Sequence, residues 1–178
     1  MLPYTFEVFS LDHIVSIIAI LFLFIIFLRY NDKIGIEDNS KTFLIILSIL
    51  MIFLDLSEDI VRVFTGYYSI NKDLPLQLCS IGVYLAAFNL LYRNQTIFNL
   101  IFYWGFVGAT NAILTPDGDL FELRIFFFYS QGYHAALIFA VLWMMIKYDM
   151  RMDYRSILQV VIYTNIIVGL ITIVNYVL

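Results

Sequence analysis

Six apolar runs, separated by short polar segments, account for almost the whole chain. They extend from about residue 13 to 28, 42 to 64, 75 to 92, 96 to 114, 125 to 146 and 157 to 178. Each is near the roughly 20 residues that cross a hydrocarbon core. None shows the alternating polar positions of a membrane β-barrel. In lipid a lone spanning segment must satisfy its own backbone N–H and C=O groups, so the pattern predicts helices. The expectation is an all-α, polytopic helical membrane bundle of about six transmembrane helices, occupying residues 1–178 as a single transmembrane domain. The connections carry turn signals. Residues 31–40 read NDKIGIEDNS, Tyr92 to Gln95 forms a tight turn, and Thr115-Pro116-Asp117-Gly118-Asp119 is a strong break between spans four and five. Pro75 is suited to the first position of the third helix.

Composition agrees. Of 178 residues 62% are apolar and only 13% are charged, and mean hydropathy is +0.90. Soluble domains run near ~45–50% apolar and ~25% charged. The net charge of −4 offers no basic surface, so no nucleic-acid partner is expected. One cysteine excludes an internal disulfide. Residues Met1 to Tyr4 lack the positive region of a cleaved leader, so the first run is expected to stay as a membrane helix. No lipidation motif is expected to anchor the chain. Basic residues sort by side. Arg29, Lys33, Lys41, Arg93, Lys147, Arg151 and Arg155 flank the first, third and fifth connections, against Lys72 and Arg124 on the other side. The positive-inside rule then places the N-terminus outside, in a multi-pass protein of the cell membrane.

Polar groups inside spans are costly and mark function by default. Here they gather toward the outer ends. His13 opens the first span. Asp55, Glu58, Asp59 and Arg62 follow an i, i+3, i+4, i+7 pattern on one face of the second. Gln77, Cys79 and Ser80 begin the third, Asn111 and Thr115 end the fourth, and Gln131 and His134 lie early in the fifth. Asn165, Gly169, Thr172 and either Asn175 or Tyr176 form a small-and-polar stripe on the sixth. The inner halves of spans one, two and five are almost purely apolar. Ordinary inter-helix hydrogen bonding explains any one of these groups. Taken together they predict a polar cavity open to the outer leaflet. Cys79 and His134 are the thiol–imidazole pair matched in depth, a nucleophile with a base. Cys79 lies near a helix N-terminus, whose dipole stabilises negative charge; a free cysteine also serves as a small buried apolar residue. Glu58 and Arg62 can neutralise one another. Asp55 calls for a partner: His13, His134 or its own proton. A carboxylate that orients a triad histidine and one that relays protons are both open readings. No metal is expected, because no HxxxH or CxxC spacing is present, and no cofactor is indicated. Gly105, Gly108 and Ala109 read as a close-packing surface, and Tyr67, Tyr68, Tyr148 and Tyr154 as an aromatic belt.

Residues 74–81, Leu-Pro-Leu-Gln-Leu-Cys-Ser-Ile, resemble the LPLxLCSI segment of the YwaF-like family of bacterial integral membrane proteins. Gly105-Phe106-Val107-Gly108-Ala109 followed by Ala112-Ile113-Leu114-Thr115-Pro116-Asp117 is similar to that family's glycine-rich span ending in ALxTPD. His13 and Glu58 match a histidine and an acidic residue of the same family. Its eukaryotic relatives, the transmembrane protein 164 group, are described as phospholipid acyltransferases that use a cysteine and a histidine. The resemblance implies membrane phospholipids as partners and Cys79, His134 and Glu58 as catalytic residues. His13, Gln131, Asn111, Asp55, Gln77, Thr115 and Asp117 would support or bind substrate. Two departures stand out. The family's fifth span reads FFxxHG, whereas Gln131 stands here in the histidine's place. Either His134, one turn on, replaces that histidine, or the site is altered. The family also continues past the sixth span with a further helix, and its lack would open one side of the bundle. The alternatives to an acyltransferase are a hydrolase with the same site, a small transporter or channel subunit moving protons or cations along the acidic and histidine cluster, and an assembly partner with no site. The sequence gives no oligomeric state.

Overall fold

The computed structural model describes residues 5–31, 38–70, 74, 76–118 and 121–177, with side chains from residue 41 onward in the second helix. Pro75, Lys33, Lys72 and Asp119, used above, lie outside the described residues. Among the described residues the protein is all-helical. The helices are α1 (Leu11–Tyr30), α2 (Asp38–Thr65), α3 (Leu78–Tyr92), α4 (Gln95–Leu114), α5 (Arg124–Lys147) and α6 (Ile157–Val177). Four of them, α1, α4, α5 and α6, are long and apolar enough to cross a membrane; α6 counts with the 3₁₀ turn Tyr154–Ser156 before it. Helix α3 is a shorter apolar helix of 15 residues. Helix α2 has 28 residues and carries Asp55, Glu58, Asp59 and Arg62 in its second half. The protein is therefore an integral membrane helical bundle.

Helix α5 is the axis of the bundle. It packs against α1, α2, α3 and α4, and Phe126, Phe127, Leu137, Ala140, Val141 and Met144 along it are fully buried. The outer helices differ. Only 17% of the most apolar stretch of α1, and 6% of that of α6, is buried. Their exposed Ile, Leu, Val and Phe side chains are what a lipid-facing surface requires, since hydrocarbon solvates them without cost. Helix α6 is joined to α4, with Trp104 Nε1 donating to Thr164 Oγ1 at 3.1 Å.

The tight turn between α3 and α4 shows local chemistry fixing the fold. Arg93 ends α3 in the left-handed region (φ 57°), and its N–H bonds back to Asn89 O. Asn89, fully buried, accepts from Asn94 N–H at 2.6 Å through Oδ1. The Asn94 side chain in turn caps α4 by accepting from Ile97 N–H. Each side chain satisfies a helix-terminal group that lipid would leave unpaired. The Arg93 guanidinium lies 3.9 Å from the centre of the Tyr148 ring, which ties this turn to the end of α5. Lys147, also there, donates to Asn31 O at the end of α1.

Residues Phe102–Ala109 of α4 are π-helical, a local widening that the apolar pattern gives no sign of. Within it Gly105 makes the close approach expected of the Gly105–Ala109 surface. A Cβ at Gly105 would lie 3.0 Å from Leu137 Cγ and 3.2 Å from Val141 Cγ2. Gly105→Ala is therefore expected to cost about 1–3 kcal/mol by overpacking. Gly169→Ala, where nothing lies within 4 Å, is expected to be neutral. Unfolding midpoints of the two variants in detergent check this contrast.

Candidate functional site

Polar contacts define two ends of the bundle. At one, Arg124 pairs with Asp12, joining the starts of α5 and α1. There too His13 meets the end of α4, and Arg62 of α2 meets Glu122 just before α5. This is the site end, and it holds the sequence-predicted cluster. The opposite end carries Arg29, Lys41, Arg93, Lys147, Arg151 and Arg155.

Helix α2 supplies the carboxylates. Arg62, only 5% exposed, reaches Glu58 Oε1 with Nε and Nη2 at 3.2 and 3.1 Å. Its Nη1 lies 2.7 Å from Glu122 Oε2, and its guanidinium sits 4.2 Å from the Phe126 ring centre. The expected Glu58–Arg62 pair is thus one arm of a three-residue bridge, and Glu58 is committed to it. Glu122 was not singled out from the sequence. It lies outside any span, where a carboxylate raises no suspicion.

Asp55 lies about two turns deeper than Arg62 and is buried. Its partners are the hydroxyls of Tyr84 and Ser80 on α3, within hydrogen-bonding reach, and neither histidine is among them. Its Oδ2 has no hydrogen-bond partner among the described residues. Cys79 precedes Ser80 in the first turn of α3, half-buried and free, and senses the Asp55 charge. Tyr133 on α5 is within electrostatic range of Glu58, Cys79 and Asp55. Tyr84 and Tyr133 are the residues that sequence reasoning missed. The available signal was position, because each is a tyrosine well inside a span instead of at its interface.

His134 is buried on α5. Its level relative to Cys79 follows from the packing below it. A Cβ at Gly82 would touch Leu137 Cδ2 at 3.4 Å, so the two helices meet there. Both run inward from the site end. One turn toward that end lie Cys79 on α3 and His134 on α5, at matched depth. No hydrogen bond joins them. His134 Nδ1 is 2.7 Å from Ser130 O. A carbonyl can only accept, so Nδ1 carries the proton and the neutral ring keeps its lone pair on Nε2. That is the tautomer a general base needs.

His13 is different. It is fully buried, with Nδ1 accepting from Phe9 N–H at 3.0 Å and Nε2 donating to Ile113 O at 2.8 Å. Phe6, Phe9 and Phe127 pack around the ring. With both nitrogens engaged, His13 acts as a tie between the starts of α1 and α5 and the end of α4.

The remaining predicted residues lie apart from the cluster. Gln77 is exposed at the start of α3 without capping it. Asn111, Thr115 and Asp117 are exposed, and Thr115 Oγ1 donates to Asn111 O. On α6, Asn165 and Thr172 are exposed and donate to carbonyls of their own helix. These two members of the expected α6 stripe are spent on their own backbone. Gln131 is buried but faces α1 and α2. A large cavity does open near the cluster, and it is apolar: about 690 Å³ between α1, α2 and α5. The polar groups of the cluster pack beside it; of polar side chains only Ser16, Tyr30 and Gln131 line it among the described residues. No group of three or more potential metal ligands occurs among the described residues.

The family model of the TMEM164 family matches residues 8–178. The chain belongs to the TMEM164 family. No curated protein and no solved structure matches it. Family membership covers every element of the cluster, from His13 on α1 to the polar stripe of α6.

Proposed function

We propose that this TMEM164-family chain transfers acyl groups between membrane lipids through a thioester on Cys79. The observation that carries the reading is the pairing in depth of a free thiol on α3 with an imidazole on α5 whose Nε2 holds the lone pair. In the first step His134 Nε2 takes the thiol proton and Sγ attacks the acyl carbonyl of a phospholipid. The ester C–O bond breaks, and the leaving lysolipid oxygen takes the proton back from His134. In the second step an acceptor hydroxyl gives its proton to His134 and attacks the thioester. The S–C bond breaks and the thiolate is reprotonated. Asp55, Ser80 and Tyr84 brace α2 against the turn that carries Cys79, and the Glu58–Arg62–Glu122 bridge holds the same end closed. We further infer that the site end faces outside the cell membrane, because the opposite end carries the excess of Arg and Lys. Proton or cation movement has less support, since below His134 α5 is filled by Leu137, Val141 and Met144, all fully buried.

The test is a transfer assay in lipid nanodiscs with an alkyne-tagged phospholipid donor and a lysophospholipid acceptor. Wild-type protein is expected to move the tag to the acceptor, and Cys79→Ser to abolish transfer. Release of tagged fatty acid in place of acceptor acylation would make the protein a hydrolase. Transfer that survives in Cys79→Ser would overturn the thioester.

A further inference from the structure

Helix α6 carries a polar stripe that the proposed reaction does not use. Asn165, Gly169, Thr172 and Tyr176 follow one another at steps of four, three and four residues, so they share a face. All four are exposed. The helix meets the bundle through a different face, with Val160 and Ile167 packed against Leu100 and Trp104 of α4 and Thr164 bonded to Trp104. Asn165 lies about 12 Å from the start of α6 and about 18 Å from its end, within the hydrocarbon. Its Nδ2 spends one N–H on Val161 O at 2.7 Å. The second N–H and Oδ1 make no hydrogen bond among the described residues, and lipid supplies no water to replace one. Two further features lie along the same face. A recess of about 250 Å³ opens between α4 and α6, with Val161 and Asn165 on one wall and Tyr103 and Trp104 on the other. One turn on, nothing lies within 4 Å of where a Cβ at Gly169 would stand, so another backbone can approach closely there.

We propose that this face of α6 pairs with the same face of a second copy, making the protein a homodimer in the membrane. Copies of one membrane protein share an orientation, so the twofold axis of a closed pair stands along the membrane normal. The two α6 helices then run parallel and in register, and Asn165 meets itself. Its amide is self-complementary: each Oδ1 accepts the free N–H of the other, and both are satisfied at once. An unrelated helix would have to bring a donor and an acceptor to this one depth, whereas a second copy brings them by symmetry. Gly169 lets the backbones close, and Thr172 and Tyr176 continue the seam at the mean spacing of 3.5 residues that a left-handed helix pair requires. The recess leaves room beside α4 for the incoming helix. Neither Cys79 nor His134 is on α6, so the inference goes beyond the thioester reading and stands whether or not Cys79 is acylated.

The experiment uses the whole protein in lipid bilayers. Cys79→Ser supplies a cysteine-free background, because the chain has one cysteine. Into it go Gly169→Cys or Thr172→Cys on the stripe, and Tyr163→Cys or Val174→Cys on the far side of α6, both exposed. On oxidation with copper–phenanthroline the first two are expected to give disulfide-linked dimers and the last two to stay monomeric. Energy transfer between donor- and acceptor-labelled wild-type copies, followed as lipid is added, measures the affinity. Asn165→Leu, close in size but without the amide, is expected to weaken pairing about tenfold through the loss of two interhelical hydrogen bonds. Gly169→Ile should abolish it by holding the helices apart. Both positions are exposed, so both variants should elute from detergent as folded monomers. Dimers formed equally well from all four cysteine positions would mean random collision and overturn the proposal. So would wild-type protein that shows no energy transfer at any lipid ratio, or unchanged affinity in Asn165→Leu. The readout is association and not turnover, so this result and the fate of the thioester are read separately.

Discussion

Replacing His134 is expected to lower acyl transfer by about 10²–10⁴-fold, the usual contribution of a positioned acid–base group. The informative variant is His134→Asn. The asparagine amide can still donate to Ser130 O, the bond that Nδ1 makes at 2.7 Å, and so keeps the local structure of α5. It has no counterpart of Nε2, the nitrogen that holds the lone pair in this tautomer. His134→Asn and His134→Ala are therefore expected to lose transfer alike while the asparagine variant keeps the wild-type unfolding midpoint. A structural histidine would behave the other way, with activity preserved in His134→Asn and lost with the fold in His134→Ala. Single-turnover transfer measured beside thermal unfolding separates the two.

Arg62→Ala is expected to be the most destabilising single change at the site end. The guanidinium is nearly inaccessible, joins Glu58 and Glu122 and lies over Phe126. Removing it leaves the Glu58 carboxylate, whose side chain is 13% exposed, facing apolar surroundings with its cation gone. Breaking a buried pair in this way costs about 3–5 kcal/mol. Most of that penalty belongs to the stranded carboxylate. Glu58→Gln added to Arg62→Ala is thus expected to recover a large share of the loss, and a double-mutant cycle on unfolding free energies measures how much. A second substitution that recovers nothing would mean that Arg62 acts through its packing on Phe126.

The bundle was legible from sequence because the signal is long and redundant. Helix α5 was expected over 125–146 and occupies Arg124–Lys147, and α4, expected over 96–114, occupies Gln95–Leu114. Helix α2 is longer at both ends than expected, Asp38–Thr65 against 42–64, because polar residues continue a helix once its apolar stretch has begun it. Depth was read by counting residues from the turns, which put Cys79 level with His134; the structure adds that α3 and α5 approach one turn further in, where a Cβ at Gly82 would lie 3.4 Å from Leu137 Cδ2.

Direction around each helix was not legible. Polar residues at equal depth were expected to converge on one cavity, yet His13 ties α1 to α4, Asp55 turns to Tyr84 and Ser80, and Gln131 faces α1. Helical periodicity fixes which residues share a face, not which neighbour that face meets. In an apolar span that is decided by small residues such as Gly105 and Gly82, whose contacts appear only once two helices are packed. The π-helical turn of α4 adds a rotation that no periodicity carries. Tyr84 and Tyr133 were passed over because tyrosine in a membrane protein suggests the interface.

The central claim is a covalent acyl group on Cys79, and intact-mass analysis tests it most directly. Purified protein is incubated with a phospholipid of defined chains, quenched in acid and weighed before and after hydroxylamine. The account predicts a mass increase equal to one acyl chain, located on Cys79, removed by hydroxylamine, absent in Cys79→Ser and slow to form in His134→Asn. Protein that acylates the acceptor while Cys79 stays unmodified at every time point would contradict it.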